Sequence, residues 1–271
     1  MSAFFSDGHA TAGGRSEAPG TPESSLPLTG ERTVPGLDIE NYWFRRHEVV
    51  YQRLAHRCSG RDVLEAGFGE GYGANLLADV ASSVIGVDYD ESAVTHVRAR
   101  YPRVDARHGN LASLPLPDAS VDIVVNFQVI EHLWDQSQFV GECLRVLRPG
   151  GLLLMSTPNR ITFTPGSDTP INPFHTRELN AAELTELLVD GGFGVESMTG
   201  VFHGPRLQEL DARHGGSIID AQIARALADA PWSDALLADV AGVRTDDFDL
   251  LTDAQRDIDD SLDLVAIAVR P

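Results

Sequence analysis

At 271 residues the chain suits one large domain with additions, and 40 acidic side chains against 21 basic ones leave a formal net charge of -19. That balance excludes a duplex nucleic-acid binder, since no local basic patch is visible and every basic residue is arginine. Cys58 and Cys143 show no paired or Cys/His spacing, so neither a disulfide framework nor a cysteine zinc site is indicated, and the cytosol is the expected compartment.

Residues 1–28 are rich in Gly, Ser, Ala and Pro, lack the basic start and apolar run of a signal peptide, and read as a disordered tail. No apolar stretch approaches the roughly 20 residues of a membrane span. The stretch "IENYWFRRHEVVYQRLA" (39–55) spaces its apolar residues as an amphipathic helix and forms the centre of a helical cap over 29–60. Strands and helices then alternate. Strands are expected at 62–66, 83–88, 104–109, 121–127 and 152–158, with helices at 73–81, 90–101 (opened by Asp90) and 137–147 (stopped by Pro149-Gly150-Gly151). A helix over 180–193, a strand over 195–202 and a last strand over 261–270 follow, with about sixty residues of helical character between those two strands. This order predicts a doubly wound α/β domain with parallel strands, built from 61–202 and 257–271, with a helical insertion at 203–256.

"VLEAGFGEGYG" (63–73) lies between a strand and a helix, which is where a glycine-rich turn cradles a nucleotide. Gly67, Gly69 and Gly71 depart from the dinucleotide spacing GxGxxG, because the third glycine follows the second by two positions. Asp88 ends the second strand 21 residues after Gly67, where a carboxylate accepts hydrogen bonds from ribose hydroxyls. The residues alone leave NAD and adenosyl ligands both open.

Five blocks in order, "VLEAGFGEGYG", "VIGVDYD", "GNLASLPLPDASVDIVVNFQVIEHL", "LRVLRPGGLLLMSTPNR" and "NPFHTREL", resemble class I S-adenosylmethionine-dependent methyltransferases. The resemblance implies a Rossmann-like seven-stranded sheet with an antiparallel last strand, and S-adenosylmethionine as cofactor. It implies that Glu65 and Gly67 lie against the methionine part of the ligand, with Gly69 and Gly71 completing the turn. Asp88 would hold the ribose, Tyr89 would pack on the adenine, Asn110 and Leu111 would meet its edge, and Asn126 and Phe127 would line the floor. Glu65 and Asn110 stand where Asp is commoner, and both keep an acceptor oxygen.

Transfer to a neutral hydroxyl requires its proton to leave, and histidine is a suitable base. His132 in "VIEHL" and His175 in "NPFHTREL" are the candidates, with Glu131 beside them orienting the loop. The cluster Tyr42, Trp43, Phe44, Arg45, Arg46 and His47 is too dense for a solvated face. It reads partly as core and partly as a lid whose aromatics, Tyr42 and Trp43 among them, stack on the cofactor or on a sugar face, with Arg46 or His47 near the cofactor's carboxylate. His203 and His214 are further pocket candidates. Carboxylates and histidines cluster on these loops, which leaves metal assistance open, but no oxygen-rich cage is evident and a divalent metal stays unassigned.

Residues 29–52 and 202–223 resemble mycobacterial methyltransferases associated with methylglucose lipopolysaccharide assembly. The resemblance implies an O-methyltransferase acting on a sugar or oligosaccharide hydroxyl. Three alternatives stand beside it: a phenol or quinone methyltransferase, a non-enzymatic S-adenosylmethionine-binding sensor and a nicotinamide dehydrogenase.

Overall fold

A computed structural model describes residues 32–228 and 231–271. The expected tail lies outside the described residues, and the cap is described from Arg32 onward. Strands β1 (Asp62–Ala66), β2 (Ser83–Asp88), β3 (Val104–His108), β4 (Val121–Phe127) and β5 (Leu147–Pro158) run parallel. They belong to an eight-stranded sheet of order β3-β2-β1-β4-β5-β8-β6-β7, completed by β6 (Gly194–His203), β7 (Phe248–Thr252) and β8 (Asp263–Val269). β8 is antiparallel to both β5 and β6, as expected of the last strand. Chain order reverses on the two sides of β1, which opens a crevice above the carboxyl ends of β1 and β4.

Alternation along the strands builds two cores. On β4, Ile123, Val125 and Phe127 face one cluster and Val124 the other. Helices α1 (Asn41–Leu54), α2 (Tyr72–Leu77) and α3 (Glu91–Arg100) cover the first face, and α4 (Gln136–Val146) and α6 (Ala181–Asp190) the second. The helix starts obey local chemistry: the Asp90 side chain accepts from Ser92 N at the head of α3, and Asn180 with Glu183 closes a capping box on α6. A four-residue helix, α5 (Arg160–Phe163), follows β5 directly.

Two elements differ from expectation. β5 begins at Leu147, and Pro149-Gly150-Gly151 lies within the strand, where Gly150 N donates to Arg270 O and Arg270 N to Gly151 O. Residues 203–256 are not wholly helical. After α7 (Pro205–Arg213), α8 (Ile218–Leu227) and α9 (Asp234–Ala241), β7 pairs antiparallel with β6 and extends the sheet to eight strands instead of seven. Leu207, Leu210, Leu236 and Val240 join the same core cluster as α1, so the segment packs on the cap. Among the described residues no helix is long and apolar enough to cross a membrane.

Candidate active site

The loop after β1 is set by backbone geometry. Gly67, Gly69 and Gly71 have φ of +86, +54 and +93°, a region side chains avoid. A Cβ on Gly67 would sit 2.6 Å from Val129 Cγ1, so this turn and the loop after β4 touch with no room between them. Gly69 N donates to Asp88 Oδ2 (2.9 Å) and Asp90 N to Asp88 Oδ1 (2.9 Å), which fixes the carboxylate at the end of β2.

Beneath the glycines, Tyr51 of α1 crosses the first turn of α2 and donates its hydroxyl to Glu65 Oε1 (2.5 Å). Glu65 Oε2 is buried with no hydrogen-bond partner, and so is Asn126 Oδ1, whose amide Nδ2 donates to Ala66 O (2.8 Å). Burial pushes the Glu65 carboxyl up to about 8; the Tyr51 hydrogen bond opposes this and the Asp88 charge adds to it. Arg32 spans the loop from above and pairs with Asp90, while its buried Nη1 has no partner. Phe127 packs edge-on against Tyr51, with ring centroids 4.8 Å apart. Leu111 is buried, whereas Tyr89 and Asn110 are exposed at the rim, with Asn110 Oδ1 holding Ala112 N (2.9 Å). Orphaned acceptors, an orphaned guanidinium nitrogen and a side-chain-free turn together fit a compact ligand carrying an amine, a carboxylate and a ribose.

Next to this lies a cleft, open to solvent and bordered by Trp43, Arg46, His47, Glu131, His132 and His175 among others. Its floor follows from one strained residue. Gln128, directly after β4, has φ of +59° and donates its N–H to Ser156 O, so the chain doubles back into a 3₁₀ turn over Ile130–His132. Thr176 N donates to Glu131 O (2.7 Å) and Thr176 Oγ1 to Leu133 O (2.6 Å), which joins this turn to the loop after β5.

The two expected bases differ in state. His132 Nδ1 lies 3.0 Å from Phe174 O, a carbonyl that only accepts, so Nδ1 carries the proton and Nε2 keeps a lone pair. Burial and the neighbouring His175 bring His132 down to about 4. His175 Nδ1 pairs with Glu178 Oε1 (2.6 Å). Its Nε2 accepts from Asn172 Nδ2 (3.0 Å), an amide whose orientation is set by Phe174 N donating to Asn172 Oδ1. Both nitrogens of His175 are therefore engaged, while His132 Nε2 makes no hydrogen bond among the described residues. Glu131 is buried, accepts from Thr157 Oγ1 (3.0 Å) and is pushed up to about 8, mainly by burial.

Several residues expected at the site have other occupations. Tyr42 is fully buried and its hydroxyl meets His203 Nε2 at 2.6 Å, while His203 Nδ1 pairs with Asp211 (2.6 Å). Neither Tyr42 nor His203 borders the cleft: they pin the cap to α7. His214 is bound to Asp239. Arg46 borders the cleft as half of a buried pair, its Nε and Nη2 taken by Asp263 and its Nη2 also by Leu262 O (2.6–2.7 Å), and is not a free cation for a cofactor carboxylate. His47 lines the cleft and burial lowers it to about 4. Sequence reasoning missed Arg32, Tyr51, Gln128, Asn172, Glu178 and Asp263. Of these only Asp263, an acid inside the apolar run "SLDLVAIAVR", and Glu178, three residues after His175, carried a visible signal.

Comparison with known proteins places the chain in a family. Residues 64–155 match the model of the methyltransferase domain family. The chain is 81% identical, over 92% of its length and 96% of the relative, to a Mycolicibacterium smegmatis protein named as an S-adenosylmethionine-dependent methyltransferase. A Mycobacterium tuberculosis protein of the same description is 73% identical over 91% of this chain and 90% of its own. A Rhizobium etli ubiquinone biosynthesis O-methyltransferase is 31% identical over 56% of this chain and 68% of its own. Among solved structures, a chain of the Haloferax volcanii complex between the Trm112 methyltransferase activator and a methyltransferase superposes with a TM-score of 0.58. Its sequence identity is 19%, covering 83% of this chain and 91% of that one, a likeness of fold. The chain belongs to the S-adenosylmethionine-dependent methyltransferases, and S-adenosylmethionine is its cofactor.

Proposed function

We infer that the protein is an O-methyltransferase acting on a hydroxyl of a sugar or oligosaccharide, in the synthesis of a methylated polysaccharide of the methylglucose lipopolysaccharide type. The observation that carries the reading is the free Nε2 lone pair of His132, facing a solvent-open cleft beside the glycine turn. S-adenosylmethionine, when bound, supplies a methyl group on a sulfonium. Glu65 Oε2 and Arg32 Nη1 offer an acceptor and a donor to its amino-acid part, and Asp88 an acceptor to its ribose. Asn126 and Phe127, buried at the end of β4, and Gly67, packed against Val129, would lie beneath the cofactor.

His132 Nε2 orients the acceptor hydroxyl by accepting its hydrogen bond and takes its proton. His175 holds the edge of the His132 ring (centroids 4.9 Å apart) and acts as a positioning residue. Trp43 and Phe163 give the cleft the flat apolar walls that a pyranose face packs on.

A phenol or quinol acceptor is the second reading, supported by the partial likeness to ubiquinone O-methyltransferases. Radiolabelled methyl transfer to a panel of glucosides, short α-glucans, catechols and quinols separates the two. The expected result is label in carbohydrate, and label confined to quinols or catechols overturns the sugar assignment. His132→Ala is expected to lower kcat by about 10²–10³-fold with the affinity for S-adenosylhomocysteine unchanged by calorimetry.

A further inference from the structure

The cleft holds three side chains whose donor atoms converge. Glu131, His132 and His175 each bring one ligand-type atom, a carboxylate oxygen or an imidazole nitrogen, within 4.8 Å of the others. A chance cluster of polar groups stops there; this one has an organised layer behind it. Each imidazole is held from the rear through Nδ1, His132 by Phe174 O and His175 by the fully buried Glu178 carboxylate. This is how metal-bound histidines are oriented, with the ring proton on a carbonyl or carboxylate and the other nitrogen forward. The carboxylate has its own support, because Glu131 Oε2 accepts from Thr157 Oγ1. The backbone bonds from Thr176 to Glu131 and Leu133 fix the two loops relative to each other.

We propose that Glu131, His132 and His175 form a binding site for one divalent transition-metal cation, with its remaining coordination positions facing the cleft. Two imidazoles and one carboxylate suit zinc and its first-row neighbours and disfavour magnesium, which prefers an all-oxygen shell. Zinc ligands at about 2.0–2.2 Å lie about 3.2–3.5 Å apart, so side-chain rotations closing the cage by about 1 Å complete it. One contact has to give way. Asn172 Nδ2 now occupies the lone pair of His175 Nε2, and this amide swings aside when the cation enters.

What the open positions do rests on the O-methyl reading. A cation there takes the acceptor oxygen as a ligand and stabilises its deprotonated form, the hydroxyl proton leaving to solvent through the cleft mouth. Cation and acceptor proton compete for the His132 lone pair. The cation-free protein therefore keeps only the slower route through His132 itself.

The test uses untagged, chelator-treated full-length protein titrated with cobalt(II), followed by visible absorption, with zinc added to displace it. One equivalent giving a d–d band, abolished by one equivalent of zinc, is expected. His175→Gln and Glu131→Gln should weaken cobalt binding at least 100-fold, with circular dichroism checking the fold. Glu178→Gln, which supports the His175 ring without ligating the cation, should weaken it about 10–100-fold. Asn172→Asp keeps the acceptor for Phe174 N and puts an anionic oxygen beside the cage, so it should tighten binding. No band, or equal affinity in all four variants, overturns the site. Methyl transfer by the chelated protein should fall at least tenfold and recover with zinc, cobalt or manganese, and a rate indifferent to cations overturns the catalytic role. Because the cobalt titration needs no acceptor, a failed sugar panel with an intact band faults the substrate reading alone.

Discussion

The two sides of the crevice are built by different means. On the cofactor side the shape comes from main chain: three left-handed glycines and two N–H groups clamping Asp88, with Glu65 Oε2 and Asn126 Oδ1 left without partners. On the acceptor side the shape comes from side chains of segments far apart in sequence, most of them tied to one another, while His132 Nε2 keeps its lone pair and Glu178 Oε2 is buried without a partner. A buried acceptor without a partner costs free energy that a bound ligand or water recovers. The first side is thus poised for one ligand of fixed shape. The second is held largely by its own hydrogen bonds and offers His132 Nε2 to an acceptor.

The comparison breaks most visibly where the two sides touch. Gly67→Val places a side chain against Val129 at φ of +86°, for a backbone cost of about 1–3 kcal/mol, and pushes the loop that carries His132. Calorimetry should show S-adenosylhomocysteine binding weakened by at least about 100-fold, a loss of about 2.7 kcal/mol. Binding within threefold of the parent would show the two sides to be independent.

A smaller effect sharpens the contrast in charge. Because Glu65 in the free protein is raised to about 8, it is largely neutral at pH 7, and a ligand amine demands the carboxylate. Binding therefore releases a proton, and affinity for S-adenosylhomocysteine should climb between pH 6 and 7.5 by up to about tenfold per pH unit. Glu65→Gln should flatten that climb. For stability the sign is opposite: the contribution of a group with a raised folded pKa is fully present below its unfolded value near 4.5 and is lost as pH rises through about 8. Proton release is read from calorimetry in buffers of different ionisation enthalpy, and none in the parent protein would remove Glu65 from the ligand.

The smallest effect separates histidines by position. His203→Phe leaves Tyr42 and Asp211 without their partner and should cost about 1–3 kcal/mol of stability in a denaturant titration, with kcat and KM within twofold. A changed KM would return His203 to the acceptor side.

The same contrast governs how much of the fold and the site is legible in the sequence. The glycine turn, Glu65 and Asp88 are legible because the turn is contiguous and its glycines take backbone angles that side chains avoid. Most of the sheet is legible because apolar runs alternate with amphipathic ones. The Asn172–His175–Glu178 arrangement is not, since it depends on the path of a loop that carries no periodicity. Tyr42 and His203 mislead because an aromatic cluster reads alike whether it faces a ligand or a neighbouring helix. β7 escapes notice because five residues, Phe248–Thr252, in an acidic surrounding are too short to distinguish strand from helix. Arg46 suggests a free cation because its partner, Asp263, lies 217 residues away.

The position of β8 has a consequence for how the protein is made. It is the last of the eight strands in chain order, yet it is threaded between β5 and β6, and through Asp263 it neutralises the Arg46 guanidinium of the first helix. Until residues 263–269 leave the ribosome, β5 and β6 present unpaired edges and α1 carries a charge it cannot bury. Closure of the sheet is thus held back until β8 has emerged, and a chaperone that shields open sheet edges would find its substrate in that interval.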